Sequence, residues 1–144
     1  MINLLFTKQP HSFNSKRETK KERYRALLKE SMSRYHSNID GFGDQDLYGI
    51  IYYFRRNRSD QDADNLSKPV WDALINVLYD DDKRVKFRSA GIFDMSESDF
   101  QTLEVTNLAP ELTFDLLTAL STEDHVVYIE CGKMRNDLFR FNIE

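Results

Sequence analysis

Between Leu47 and Ser89 a strand pattern, a helix pattern and a second strand pattern follow one another, with aspartates at both joints. The run "LYGIIYYFRR" is apolar, aromatic and β-branched, and has the length of a buried strand. After it, Leu66, Val70, Ala73, Leu74, Val77 and Leu78 recur at the spacing of one helical face, and Val85 to Ser89 alternate as a strand does. A strand, a short helix and a strand in this order make the helix a strap. Its two ends are expected to approach the same edge of a sheet, with the second strand running back beside the one that ends at Arg56. Pro69 is tolerated only near a helix start, so regular helix is expected from about Leu66 to Lys68, with Asp62 to Asn65 as a lead-in turn.

The rest of the chain fits around this unit. Ile2 to Thr7 reads as a strand. The basic stretch "SKRETKKERYRALLKESMSRYH" reads as a helix, because Tyr24, Leu27, Leu28, Met32 and Tyr35 recur at steps of three and four. "SNIDGFGDQD" is a Gly/Asp-rich loop, "TLEVTNL" a possible strand, and "PELTFDLLTALS" a short helix with Pro110 in its first turn. "VVYIEC" and "LFRFNI" are expected to close the chain as a hairpin, with Cys131 and Gly132 at a turn. The expected fold is α/β of the mixed α+β kind: one domain over residues 1–144, a small mixed sheet packed with two main helices.

Several function classes drop out. A single cysteine, Cys131, allows no internal disulfide and no cysteine-based zinc site, and the three histidines lack zinc-motif spacing. No apolar run reaches membrane-spanning length, and a reducing, cytoplasmic setting is expected. Net charge is −4, yet residues 1–88 hold 17 Lys/Arg against 13 Asp/Glu while residues 89–144 hold 3 against 11. The mean hides a basic half whose aspartates are concentrated in one motif.

That motif, "DADNLSKPVWDALINVLYDDDKRV", has the elements of a phosphodiester-cleaving site. Asp62 and Asp64 lie two apart, and Asp64, Lys68 and Asp72 fall at successive i, i+4 positions on the side away from the Leu66/Val70/Leu74 face. Asp80, Asp81 and Asp82 follow the helix. Clustered carboxylates repel unless protonated or bridged by cations. Hard oxygen ligands completed by water and phosphate suit Mg²⁺, and a nearby lysine adds charge for the transition state. A calcium loop would also begin Asp60, Asp62, Asp64. It fails because position 6 is Asn65 rather than Gly and position 12 is Trp71 rather than Glu.

"DADNLSKPVWDAL" followed by "DDDKRV" resembles the RusA family of Holliday junction resolvases, in Asp62, Asp64, Asn65, Leu66, Lys68, Asp72, Ala73 and Leu74, then Asp81, Asp82 and Val85. "QPHSFN" is similar to a second family segment through Pro10, Ser12 and Asn14. The resemblance implies a homodimeric, Mg²⁺-dependent endonuclease, with Mn²⁺ as a substitute, cutting opposed strands of a four-way DNA junction in recombination and repair. Family members are often carried by phages and prophages. It implies Asp62, Asp64 and Asp82 as metal-binding catalytic carboxylates, Asp81 as a further metal ligand and Lys68 as the catalytic cation. Asn65 would fix the turn, and Asp72 would either orient Lys68 or cap local structure. Phosphate contacts are expected from Lys16, Lys20, Arg55, Arg56, Arg58, Lys83, Arg84, Lys86 and Arg88, the basic helix being otherwise a solvated face. A nuclease of the same fold acting on other branched DNA, and a noncatalytic junction-binding protein, are the alternatives. The acidic segment 91–124 departs from the family pattern and is expected to face away from DNA. Tyr52, Tyr53, Phe54 and Trp71 could stack on bases, but their places in strand and helix favour the core.

Overall fold

A computed structural model of the chain describes residues 1–10, 18–57, 62–96, 103–138 and 143. In chain order the elements are β1 (Ile2–Phe6), α1 (Glu18–Tyr35), β2 (Leu47–Arg55), α2 (Ala63–Ala73), β3 (Val85–Asp94), α3 (Pro110–Thr122) and β4 (His125–Lys133), with a 3₁₀ turn at Asp82–Arg84 leading into β3. The four strands form one mixed sheet in the order β1-β4-β2-β3. β4 runs antiparallel to β1 and to β2, and β3 runs parallel to β2 from Leu47↔Val85 to Arg55↔Asp94. The fold is thus mixed α/β, with three helices among the described residues; α3 is longer than α2. None of these helices is long and apolar enough to cross a membrane.

The two sheet faces are covered by different helices. Alternate strand residues Leu4, Phe6, Leu47, Ile51, Tyr53, Val127 and Ile129 meet Tyr24, Leu28 and Met32 of α1 and Leu66, Val70 and Trp71 of α2 in one cluster. Their neighbours Leu5, Phe54, Val126 and Tyr128 point the other way, onto Leu112, Leu116 and Ala119 of α3. This is the period-2 alternation of strands used on both sides. Tyr53, Phe54 and Trp71 are buried and Tyr52 is half-buried, stacked on Tyr128, as core packing requires. Cys131 is buried in β4, where burial pushes its thiol up to about 12.

Several sequence expectations change. β3 lies parallel to β2 rather than running back beside it, so α2 is the crossover of a β-α-β unit. α2 begins at Ala63 because Asp62 caps it, which leaves Pro69 inside the helix instead of in its first turn. It stops at Ala73: Ile75–Tyr79 form a tight turn with Asn76 at φ 61°, and this turn, not a helical face, brings Leu78 into the core. Residues 103–108 make turns rather than a strand. Leu103, Val105 and Leu108 pack on the α3 side of the sheet, so their alternation reflects burial without pairing. β4 pairs with β1 and β2 instead of a closing hairpin, and Gly132 is a strand residue against the Tyr48 ring. Arg135–Leu138 forms a turn, and Phe139–Asn142 lie outside the described residues.

Candidate functional site

The crossover sets one side of α2 against the edge strand β3. Asp62 starts the helix in extended conformation, its Oδ1 accepting from the Asn65 backbone N–H at 2.8 Å. This is an N-cap, and it places the Asp64 carboxylate in the positive first turn. Burial of Leu66, Val70, Trp71 and Ala73 fixes the helix rotation and turns Asp64, Lys68 and Asp72 outward. Lys68 Nζ donates to Asp72 Oδ1 at 3.2 Å, the i, i+4 pair expected of that row. Asp64, Ser67 and Lys68 then face Arg88, Ser89 and Ala90 of β3 across an open groove of about 550 Å³.

The second acidic group reaches the same region through the turn after α2. The buried Tyr79 hydroxyl donates to the Trp71 carbonyl at 2.7 Å, tying this turn to the helix end. Asp81 caps the 3₁₀ turn, its Oδ1 accepting from the Lys83 N–H at 2.9 Å. Asp82, half-buried, is held by Arg88: one guanidinium nitrogen donates to the Asp82 carbonyl at 2.5 Å and to its Oδ2 at 3.0 Å. Burial raises the Asp82 pKa, but the Arg88 hydrogen bond, the Arg88 charge and the Lys68 charge outweigh it and hold the carboxyl below its usual range. Lys68 and Arg88 therefore act electrostatically on one carboxylate, although they come from different elements. Asp80 turns instead to Arg84, at 3.1 Å.

The arrangement brings Asp64 and Lys68 to one groove and joins Asp82 to it through Arg88. Asp62 and Asp81 stand at the starts of α2 and the 3₁₀ turn, each with one oxygen engaged as a cap. Among the described residues, no three carboxylate, histidine or cysteine side chains converge as a closed metal cage. Mg²⁺ does not need one, since it binds through one or two carboxylates and completes its shell with water and phosphate. Asp64, which lines the groove, and Asp82, which reaches it only through Arg88, are hard oxygen donors of the kind that ion takes.

The expected phosphate-contacting cations divide sharply. Arg55 is mostly buried and pairs with Asp94 at 2.5 Å. Arg56 donates to the Leu120 and Glu123 carbonyls at the end of α3, at 2.6 and 3.1 Å. Arg84 bridges Asp80 and Asp44. Lys20 and Lys83 are exposed, and Lys86 extends toward Asp46 at 3.9 Å. Lys16 and Arg58 lie outside the described residues, as do Asp60, Ser12 and Asn14. Two features escape sequence reasoning. Arg88 acts on a carboxylate six residues earlier, across a turn-to-strand junction that has no periodic signature. On the α3 side of the sheet, the Tyr48 and Tyr128 hydroxyls both donate to Glu130, at 2.6 Å each, inside a cavity of about 670 Å³. No protein-family model matches the chain, and no curated protein does either.

Proposed function

We propose that this chain is a RusA-like, Mg²⁺-dependent, structure-selective endonuclease that resolves four-way DNA junctions. One observation carries the reading: Asp64 and Lys68 line a single open groove whose far wall, Arg88, holds Asp82. A solvated acidic run has no use for a lysine and an arginine focused on one of its carboxylates, whereas phosphodiester cleavage needs both signs of charge together.

Asp64 and Asp82 would hold the ion, with Asp62 and Asp81 as further oxygen donors from the two caps. When bound, Mg²⁺ supplies an activated water and a counter-charge for the phosphate. The chain's own residues do the positioning. Asp72 keeps Lys68 extended along α2, from where its ammonium meets the charge that develops on the phosphate oxygens. The groove is open along the sheet edge, so a nucleic-acid backbone can lie in it without rearrangement of the core. A four-way junction calls for two symmetric incisions, and a two-fold homodimer provides two identical sites for them.

The test is incubation of the protein and an Asp82→Asn variant with a four-way junction and Mg²⁺. Paired symmetric nicks from the wild type and not from the variant support the proposal. Junction binding without cleavage by either protein leaves a noncatalytic junction binder, and equal cutting of forks and flaps leaves a broader branched-DNA nuclease.

A further inference from the structure

Arg88, in the groove wall, makes contacts that neither solvation nor packing requires. Its side chain leaves β3 on the face that carries α2. It makes three hydrogen bonds within the preceding turn: to the Val85 carbonyl at 3.3 Å, the Asp82 carbonyl at 2.5 Å and Asp82 Oδ2 at 3.0 Å. Two of the three acceptors are backbone oxygens. The guanidinium is therefore held in place whether or not the carboxylate is engaged elsewhere, and this separates it from a surface ion pair that forms and breaks with its partner. The carboxylate is correspondingly confined. Oδ2 faces the clamp, and the neighbouring Asp81 side chain also hydrogen-bonds to the Asp82 carboxylate.

Building on the nuclease reading, we propose that Arg88 is a positioning residue for the metal site, fixing the orientation in which the Asp82 carboxylate meets the cation. Metal-ligating carboxylates are commonly hydrogen-bonded by a neighbour that fixes their orientation. A planar guanidinium that grips both the backbone and the side chain of one residue does this with little residual freedom. Arg84 provides an internal comparison. It is the last residue of the same 3₁₀ turn, and its guanidinium ties the turn to Asp80 and Asp44 rather than to the Asp82 carboxylate. Loosening the turn in general and freeing the Asp82 carboxylate in particular can thus be separated.

The experiment is calorimetric titration of DNA-free protein with Mg²⁺ and Mn²⁺ for wild type, Arg88→Gln, Arg88→Lys, Arg84→Gln and Asp82→Asn, below the melting transition of each. Arg88→Gln is expected to weaken metal binding by about 10- to 100-fold. Arg88→Lys keeps the charge but cannot reproduce the fork, so it falls between Arg88→Gln and wild type. Arg84→Gln stays within about twofold of wild type, because the ligand orientation it leaves untouched is what sets affinity. Metal binding that is lost in Asp82→Asn but equal or tighter in both Arg88 variants overturns the role of Arg88 and leaves the nuclease reading standing. Wild-type protein that binds no metal beyond the level of Asp82→Asn overturns both.

Discussion

Gly49 shows how closely a core residue and the site are tied. It sits in β2 directly beneath Trp71 of α2, and a Cβ at that position would overlap the indole ring. Glycine is required there for approach, not for backbone conformation. Trp71 itself is fully buried and pinned by its Nε1 donating to Ser67 Oγ at 2.9 Å. It precedes Asp72, and its ring sets the height of α2 above the sheet. Gly49→Ala is therefore expected to destabilise the protein by about 1–3 kcal/mol through overpacking, measured by urea unfolding. Combining it with Trp71→Phe, which frees space over β2, should cost less than the sum of the two single changes, since the residues share one contact. Strict additivity in that cycle would show that the strand and helix do not meet at this point. None of this is visible in the sequence, where Gly49 interrupts an apolar strand run without indicating what lies above it.

At the level of elements, α2 was legible in its buried face but not in its limits. Leu66, Val70, Ala73 and Leu74 share the core as their spacing requires. The start moved to Ala63 because the cap formed by Asp62 outweighs the conflict with Pro69, a balance that periodicity does not contain. The end moved to Ala73 because Tyr79 reaches back to the Trp71 carbonyl, a buried contact between residues eight apart. The i, i+4 row of Asp64, Lys68 and Asp72 was readable because it depends only on helical pitch. The approach of Asp82 was not, because it depends on the parallel crossover and on Arg88. Asp62 consequently has two roles that substitution can separate. Asp62→Ala removes the cap and the charge and should lower stability by about 0.5–2 kcal/mol. Asp62→Asn keeps an acceptor for the Asn65 N–H and should melt close to wild type. Under the proposed chemistry both lose cleavage; full activity in Asp62→Asn, checked on the junction substrate, would reduce Asp62 to a cap.

On the scale of the whole molecule, the sheet separates two surfaces of different character. One carries α1, α2 and the groove; the other carries α3, with Glu111, Asp115 and Glu123 in an acidic segment, and the Tyr48–Glu130–Tyr128 network. The charge asymmetry between the halves of the sequence becomes an asymmetry between faces only because α3 packs on the opposite side of the sheet from α2. Counting cations along the chain could not tell those that hold the fold from those that face solvent. Arg56 ties the end of β2 to the last turn of α3, and its guanidinium satisfies carbonyls that the helix leaves unpaired. Lys83 is almost fully exposed on the turn that carries Asp82, and among the described residues only a 3.9 Å approach to Asp81 engages its ammonium. If DNA backbone lies along the groove, the two residues should separate in a salt titration of junction binding. Lys83→Ala should leave the melting temperature unchanged and reduce the slope of log K against log salt by about one, the signature of one lost phosphate contact. Arg56→Ala should do the reverse, lowering stability by roughly 1–3 kcal/mol through loss of charged hydrogen bonds while the slope holds. An unchanged slope in Lys83→Ala would move the bound backbone away from the 3₁₀ turn, and with it the assignment of Asp82 to the reacting phosphate.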